Sequence, residues 1–337
     1  MNRKQLCDKI GKQMPKQLNE LEKGAYIMMC IGKEKAFSSQ YYFSDKKTRD
    51  KIYEKARRKE TKKLQNKKEI ICVTASKLYK YIAEQNGLEV YYAGKHENLT
   101  KNNLYIFESG EHITPVIKLK DGRYIKTDIE WNLENIQTGM RWLEFGTKNE
   151  EGSMLSALSQ DEIDNIMQKI GYISKTSDYT DEYIKNLEMN LNNLPIEQQL
   201  ECIFNDKRIT ELARNLKGNV ERYRFYRRII KDVTSKNENK KEEYGESIFC
   251  FGGVLRNKNK KRKYTTCVYY KTQEPKNGKV WIWSANEKRM EEVPLKYLKY
   301  FLKTQKIKIC PGKFLKELKE LKTISKKLSS LSTEIEL

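Results

Sequence analysis

The feature that most restricts how this chain can fold is a pair of alternating runs around one Asp-Gly step. Residues 113–119 (ITPVIKL) and 124–129 (YIKTDI) alternate in the strand manner on either side of Asp121-Gly122, and that combination predicts a β-hairpin. A strand repeats every two residues, so the length of the loop decides which side chains share a face. A two-residue loop at Asp121-Gly122 would oppose Pro115 to Asp128 and turn His112 to the other face. A three-residue loop, Lys120-Asp121-Gly122, would instead oppose Thr114 to Asp128 and set His112 diagonal to Asp128 on one face. Gly122 can carry the positive φ that such a loop needs, having no Cβ to clash. The residues permit the second arrangement without compelling it.

A helix is predicted just upstream. From Cys72 to Gln85, Ala75, Leu78, Tyr79 and Ile82 line one face, and Gly87 follows as a stop. A short strand is expected at 90–93. Before this, Leu6, Ile10, Met14, Leu18, Leu21 and Ala25 recur at helical steps across residues 1–30. Pro15 should kink or break that run and Gly32 should end it. Ser44 or Asp45 could cap a further basic helix reaching about Leu64. After Gly146 helices are expected at 162–170, 181–194, 196–204 and 210–233. Residues 235–244 (SKNENKKEEY) are the best linker candidate. Strands are expected at 248–255, 264–271 and 279–284, with a basic loop, 256–263 (RNKNKKRK), between the first two. The tail from Leu295 reads as Lys-rich helix. No internal repeat is found.

The whole is an α+β pattern. Its expected regions are a basic helical N-terminal part (1–68) packed on a core (69–150), a helical region (151–234), a small antiparallel β region (245–310) and a basic helical tail (311–337). With 337 residues there is room for one large domain or two ordinary ones. No run approaches the roughly 18 consecutive apolar residues of a membrane span, the apolar stretch at 25–31 being too short. The basic N-terminus lacks a following apolar segment, so a cytoplasmic protein is expected. Charge is uneven. Residues 1–68 carry 20 Lys/Arg against 8 Asp/Glu, 69–254 carry 25 against 30, and 255–337 carry 22 against 8. The two basic ends would attract nucleic acid or another polyanion, or are simply a solvated Lys-rich surface. No helix-turn-helix, zinc-finger or RNP signature accompanies them.

The seven cysteines form no CxxC pair, and His96 and His112 are the only histidines. A disulfide scaffold or a structural zinc site is therefore not expected, and no cofactor or metal is called for. Most of the cysteines read as buried, reduced hydrophobes. Cys72 differs, because it opens its helix. There the unpaired N–H groups and the positive end of the helix dipole favour thiolate. Cys30 sits near a helix end after two methionines, and Cys250 and Cys267 fall inside strand patterns. A thiol nucleophile needs a base and a group to orient that base. His96 lies in a polar loop (KHENLTKNN), whereas His112 opens a strand whose partner closes with Asp128. Cys72, His112 and Asp128 are the candidate triad, with Asp121 and Glu130 competing for the acidic place. Trp131 and Trp142 fit a core better than a cleft lining, and Tyr41, Tyr42 and Phe43 likewise read as packing.

The segments ICVTASKLYKYIAEQNGLEV and GEHITPVIKLKDGRYIKTD put a Cys-opened helix, a Gly, a short strand, a His-opened strand and then Asp in that order. This order resembles the transglutaminase-like branch of the papain-like superfamily, and DIEWNLENIQTGMRWLEFG and AYIMMCIGKEKAFSSQYYF resemble a bacterial subset of undefined substrate. Ile71 stands where members often carry a small residue. The resemblance implies a papain-like core, a helix opened by the nucleophilic Cys packed on an antiparallel sheet. It also implies Cys72 as nucleophile, His112 as base and Asp128 as its orienter. An oxyanion-hole side chain would come from Asn66 or Gln65, with the Cys72 backbone N–H as second donor. The chemistry implied is acyl transfer on a peptide or amide bond: cysteine protease, deamidase or transglutaminase-type. A protein or peptide, acidic given the basic ends, would be the substrate. The rival expectation is an inactive papain-like scaffold that grips nucleic acid or another polyanion through those ends.

Overall fold

A computed structural model describes residues 1–42, 44, 46–58, 65–93, 112–146, 155–175, 178–194, 196–234, 247–257, 260–270, 279–284 and 289–294. The fold is α+β. In chain order it runs α1 (Arg3–Gln13), α2 (Glu20–Glu34), β1 (Ala36–Phe37), α3 (Ser39–Tyr42), α4 (Lys46–Arg58), β2 (Glu69–Ile70), α5 (Cys72–Gln85), β3 (Glu89–Ala93), β4 (Thr114–Lys118), β5 (Tyr124–Lys126) and α6 (Ile129–Thr138). There follow α7 (Gln160–Lys169), α8 (Thr180–Leu191), α9 (Ile196–Asn205), α10 (Lys207–Asn215), α11 (Asn219–Thr234), β6 (Ser247–Asn257), β7 (Lys260–Tyr270), β8 (Lys279–Ser284) and β9 (Arg289–Pro294). The chain forms two compact units. The first comprises Met1–Tyr41, Lys46–Tyr183 and Arg214–Glu221, and the second comprises Tyr42–Asp45, Ile184–Ala213 and Arg222–Leu337.

In the first unit the N-terminal run breaks into two helices at Met14-Pro15, each opened by an Asn. Asn2 accepts from the Gln5 N–H and Asn19 from the Glu22 N–H, and the Gln5 and Glu22 side chains bond back to the cap N–H groups. These capping boxes satisfy N–H groups that would otherwise lack partners. Gly32 does not end α2, which continues to Glu34. It lies inside the helix where a Cβ would come within 2.5 Å of Ile136 in α6. Its use is therefore close helix approach rather than termination. Gly24, one face on, admits Ile117 and passes its carbonyl to the Tyr79 hydroxyl at 3.0 Å. Helix α2 is buried along most of its length, with Ala25, Ile27, Met28 and Ile31 inaccessible. It packs against α5, α6 and α7.

Helix α5 lies on an antiparallel sheet of order β3-β4-β5. The hairpin adopts the three-residue loop: Val116 pairs with Lys126, Ile117 with Ile125 and Lys118 with Tyr124. Leu119 N–H donates to the Arg123 carbonyl at 2.9 Å, and Gly122, at φ 90°, donates to Leu119 at 3.0 Å. Asp121 accepts from the Arg123 backbone and guanidinium, tightening the turn. One element differs from expectation. Strand β5 stops at Lys126, because the Asp128 N–H goes to the Glu144 carbonyl at 3.0 Å and Asp128 caps α6 instead of closing a strand.

The helix expected over 210–233 is two, α10 and α11. The chain bends at Gly218, where a Cβ would meet Ala36 at 2.8 Å, and the Lys217 N–H donates to Gln137. In the second unit, Phe204 and Tyr226 stack with centroids 5.1 Å apart, and Gln199 donates to the Leu191 and Leu194 carbonyls. The sheet there has order β6-β7-β8-β9. The expected basic loop at 256–263 is mostly strand, since Asn257 already pairs with Lys260 and Arg256 with Lys261. Strand β9 had no counterpart in the sequence reading. The linker at 235–244, Asp45 as a cap, Phe43, His96 and everything from 295 onward lie outside the described residues. Among the described residues no helix is long and apolar enough to cross a membrane.

Candidate active site

The approach to Cys72 is held from several sides. A parallel bridge pairs Ala36 with Glu69 and Phe37 with Ile70. The buried Lys35 ammonium donates to the carbonyls of Gln65 (2.9 Å) and Lys67 (2.7 Å). Arg3 donates from its backbone to Asn66 Oδ1 and from its guanidinium to Gln65 Oε1, both at 2.8 Å. Arg3 thus engages the carboxamide oxygens of both residues expected near an oxyanion. Helix α5 then begins at Cys72. The Ile71 N–H is satisfied by Thr74 Oγ1 at 2.9 Å, a side chain reaching back from inside the first turn.

His112 stands two residues before β4. Ser76, one turn into α5, donates to the Ile113 carbonyl at 2.8 Å and fixes the chain beside the start of the helix. The three-residue loop sets Pro115 across from Thr127, which donates to it at 3.0 Å; the expected pairing of Thr114 with Asp128 does not follow, since the Asp128 N–H turns to Glu144. His112 Nε2 bonds Asp128 Oδ2, and Asp128 Oδ1 accepts the Trp131 N–H at 3.1 Å. One buried carboxylate therefore caps α6 and holds the imidazole. The other ring nitrogen, Nδ1, is 3.5 Å from Glu130 Oε2. Cys72 Sγ, a ring nitrogen of His112 and a carboxylate oxygen of Glu130 all lie within 4.8 Å of one another. Asp121, the other acidic competitor, is in the hairpin turn with Arg123.

Burial pushes the Cys72 thiol up. The bond to His112 and the Ile113 N–H pull it down, while the Glu130 charge pushes it up again. For His112 burial disfavours the cation, but the bonds to Asp128 and Cys72 and the charges of Asp128 and Glu130 outweigh it, and the imidazolium is pushed up to about 11. A histidine whose cation is favoured in this way lowers the cost of the thiolate–imidazolium pair that forms when the ring takes the sulfur proton. Cys7 and Cys30 are also pushed up by burial, without a histidine beside them.

Three features escaped the sequence reading. Glu130 was counted only as a substitute for Asp128, yet the two flank the same ring. No local spacing signals this, because residues two apart on a helix do not share a face. Tyr41 is pushed up to about 12 by burial and then by the charges of Cys72 and Glu130, which places it beside the site; nothing in its local pattern marks it. Trp131 and Trp142, expected in the core, are 50% and 54% exposed. Trp131 follows Glu130 in the first turn of α6, and the core face of that helix is taken by Leu133 and Ile136.

The group Cys72, His112 and Glu130 has the donor types of a metal site, and Cys72 and His112 are also the residue types of a thiol nucleophile and its base. Comparison with models of known protein families, with curated proteins and with solved structures finds no match to this chain.

Proposed function

We propose that the chain is a thiol-dependent acyl-transfer enzyme of the transglutaminase-like, papain-like kind, acting on a peptide or amide bond. One observation carries the reading: His112 meets the Asp128 carboxylate with one nitrogen and shares the space of the other with Cys72 at a helix N-terminus. The order of elements through the site supports it, as does the packing of the Cys-opened helix on an antiparallel sheet.

In this reading His112 takes the proton from Cys72, and Sγ adds to the substrate carbonyl carbon. Asp128 holds the imidazolium that results. The imidazolium returns the proton to the leaving amine as the C–N bond breaks, and a thioester remains on Cys72. Water then attacks the thioester for hydrolysis or deamidation, or an amine attacks for transamidation. We favour water, the acceptor always present. Gln65 or Asn66 and the Cys72 N–H are the proposed oxyanion donors.

The test is competitive alkylation of the native protein by an iodoacetamide probe at mildly acidic pH, with peptide mapping. Cys72 reacts first if the reading holds, and in His112→Ala that lead disappears. A Cys72 slower than Cys202 in the native protein ends the reading. The rival, a scaffold that binds a polyanion, is favoured by the basic run carried on the paired strands β6 and β7. Nucleic-acid binding that weakens steeply with salt and survives Cys72→Ala would support it.

A further inference from the structure

Glu130 is the member of the cluster that acyl transfer does not use. A carboxylate within 4.8 Å of the sulfur opposes thiolate formation, and His112 already has its orienting carboxylate in Asp128. We infer that Cys72 Sγ, His112 Nδ1 and Glu130 form a three-ligand site for a divalent metal of the zinc type.

Three observations support it. The first is the donor set. One thiolate, one imidazole and one carboxylate suit zinc, whereas magnesium and calcium take oxygen ligands. The second is the arrangement around the ring. Nε2 bonds Asp128, so that nitrogen keeps its proton, and Nδ1, 3.5 Å from Glu130, is the one that a metal would take by displacing a proton. A metal-bound histidine whose other nitrogen donates to a carboxylate is the usual supporting arrangement. The third is reach and charge. Tetrahedral zinc places sulfur, nitrogen and oxygen ligands roughly 3.3–3.6 Å apart, so atoms within 4.8 Å of one another close on the ion by side-chain rotation. A dication balances the Cys72 thiolate and the Glu130 carboxylate in a site where the side chains of Glu130 and His112 are 11% and 28% exposed, leaving the Asp128 carboxylate to hold the Nε2 proton.

Binding forms Zn–S, Zn–N and Zn–O bonds, releases the thiol proton and any proton on Nδ1 to solvent, and changes no oxidation state. With sulfur bound to the metal, the nucleophile is silenced until the ion is removed. That regulatory consequence rests on the acyl-transfer reading; the metal site itself does not.

The experiment titrates Zn²⁺ by calorimetry, and Co²⁺ by absorption, into reduced, chelator-treated full-length protein. One ion should bind, and the cobalt form should show a thiolate-to-metal charge-transfer band that Cys72→Ala removes. Glu130→Gln, close to isosteric, should weaken binding more than tenfold, and Asp128→Asn about ten- to hundredfold. Unchanged affinity in Glu130→Gln, or a cobalt spectrum without the thiolate band, overturns the site. If His112→Ala fails to fold by circular dichroism, Glu130→Gln and the cobalt band still decide. Alkylation of Cys72 separates the two readings. Rapid labelling that Zn²⁺ does not slow keeps the thiol enzyme and removes the metal site. Slow labelling without metal, together with a thiolate–cobalt band, does the reverse.

Discussion

Asp128 concentrates two tasks in one side chain. Its Oδ1 caps α6 through the Trp131 N–H, and its Oδ2 holds His112 Nε2. These tasks separate by substitution, because Asn caps a helix about as well as Asp while Ala does not. Asp128→Ala should lose about 1 kcal/mol more stability than Asp128→Asn, the ordinary worth of an N-cap, measured by urea denaturation. Both should abolish the alkylation lead of Cys72, since neither supplies the charge that holds the imidazolium. Equal stability of the two variants would show that the cap bond contributes nothing. Lys35 makes a second residue-level case. Burial holds its ammonium below the usual value of 10.5, although two carbonyls accept from it. The folded state then binds fewer protons than the unfolded chain as pH approaches 10.5, so this group makes stability rise with pH in that window. Lys35→Met should flatten that rise in denaturation midpoints measured from pH 8 to 10.5.

Two glycines carry different duties in the elements that frame the site. Gly122 holds φ 90° with nothing within 4 Å of a built Cβ. Gly122→Ala should therefore cost only the left-handed backbone penalty, about 1–2 kcal/mol, and leave the hairpin register intact. Gly32 has ordinary backbone, but a Cβ built there would come 2.5 Å from Ile136 Cδ1, the atom that valine lacks. Gly32→Ala must push α2 from α6, an overpacking change costing about 1–3 kcal/mol. Gly32→Ala combined with Ile136→Val should recover part of that loss, whereas Ile136→Val should not rescue Gly122→Ala. Additive losses in the first pair would mean that the helices do not meet at Gly32.

For the molecule as a whole, the charge of the basic ends acts at long range. The Debye length falls from about 10 Å at 0.1 M salt to about 3 Å at 1 M. Polyanion binding should accordingly weaken steeply across that range, while Cys72 alkylation, set by bonds inside the first unit, should change little. Parallel loss of both would tie the charge to the site. The sequence by itself determined what depends on neighbours along the chain. Helix α5 with its opening Cys72, the break at Pro15 and the hairpin with Gly122 at positive φ follow from periodicity, ring geometry and a missing Cβ. That His112 and Asp128 can meet is legible from the three-residue loop, although Asp128 meets the ring from a helix cap and not from a paired strand. What only the tertiary structure decided depends on groups distant in sequence competing for the same space or the same hydrogen bond. Glu144 takes the Asp128 N–H and turns a strand end into a helix cap. An expected single helical run is two around Gly218, where a Cβ would meet Ala36, and Ile136 makes Gly32 a contact instead of a stop. Trp131 and Trp142 are left to solvent, and Glu130 is brought to the second face of the imidazole. Local pattern cannot register these outcomes, because each depends on a partner that folding alone brings within reach.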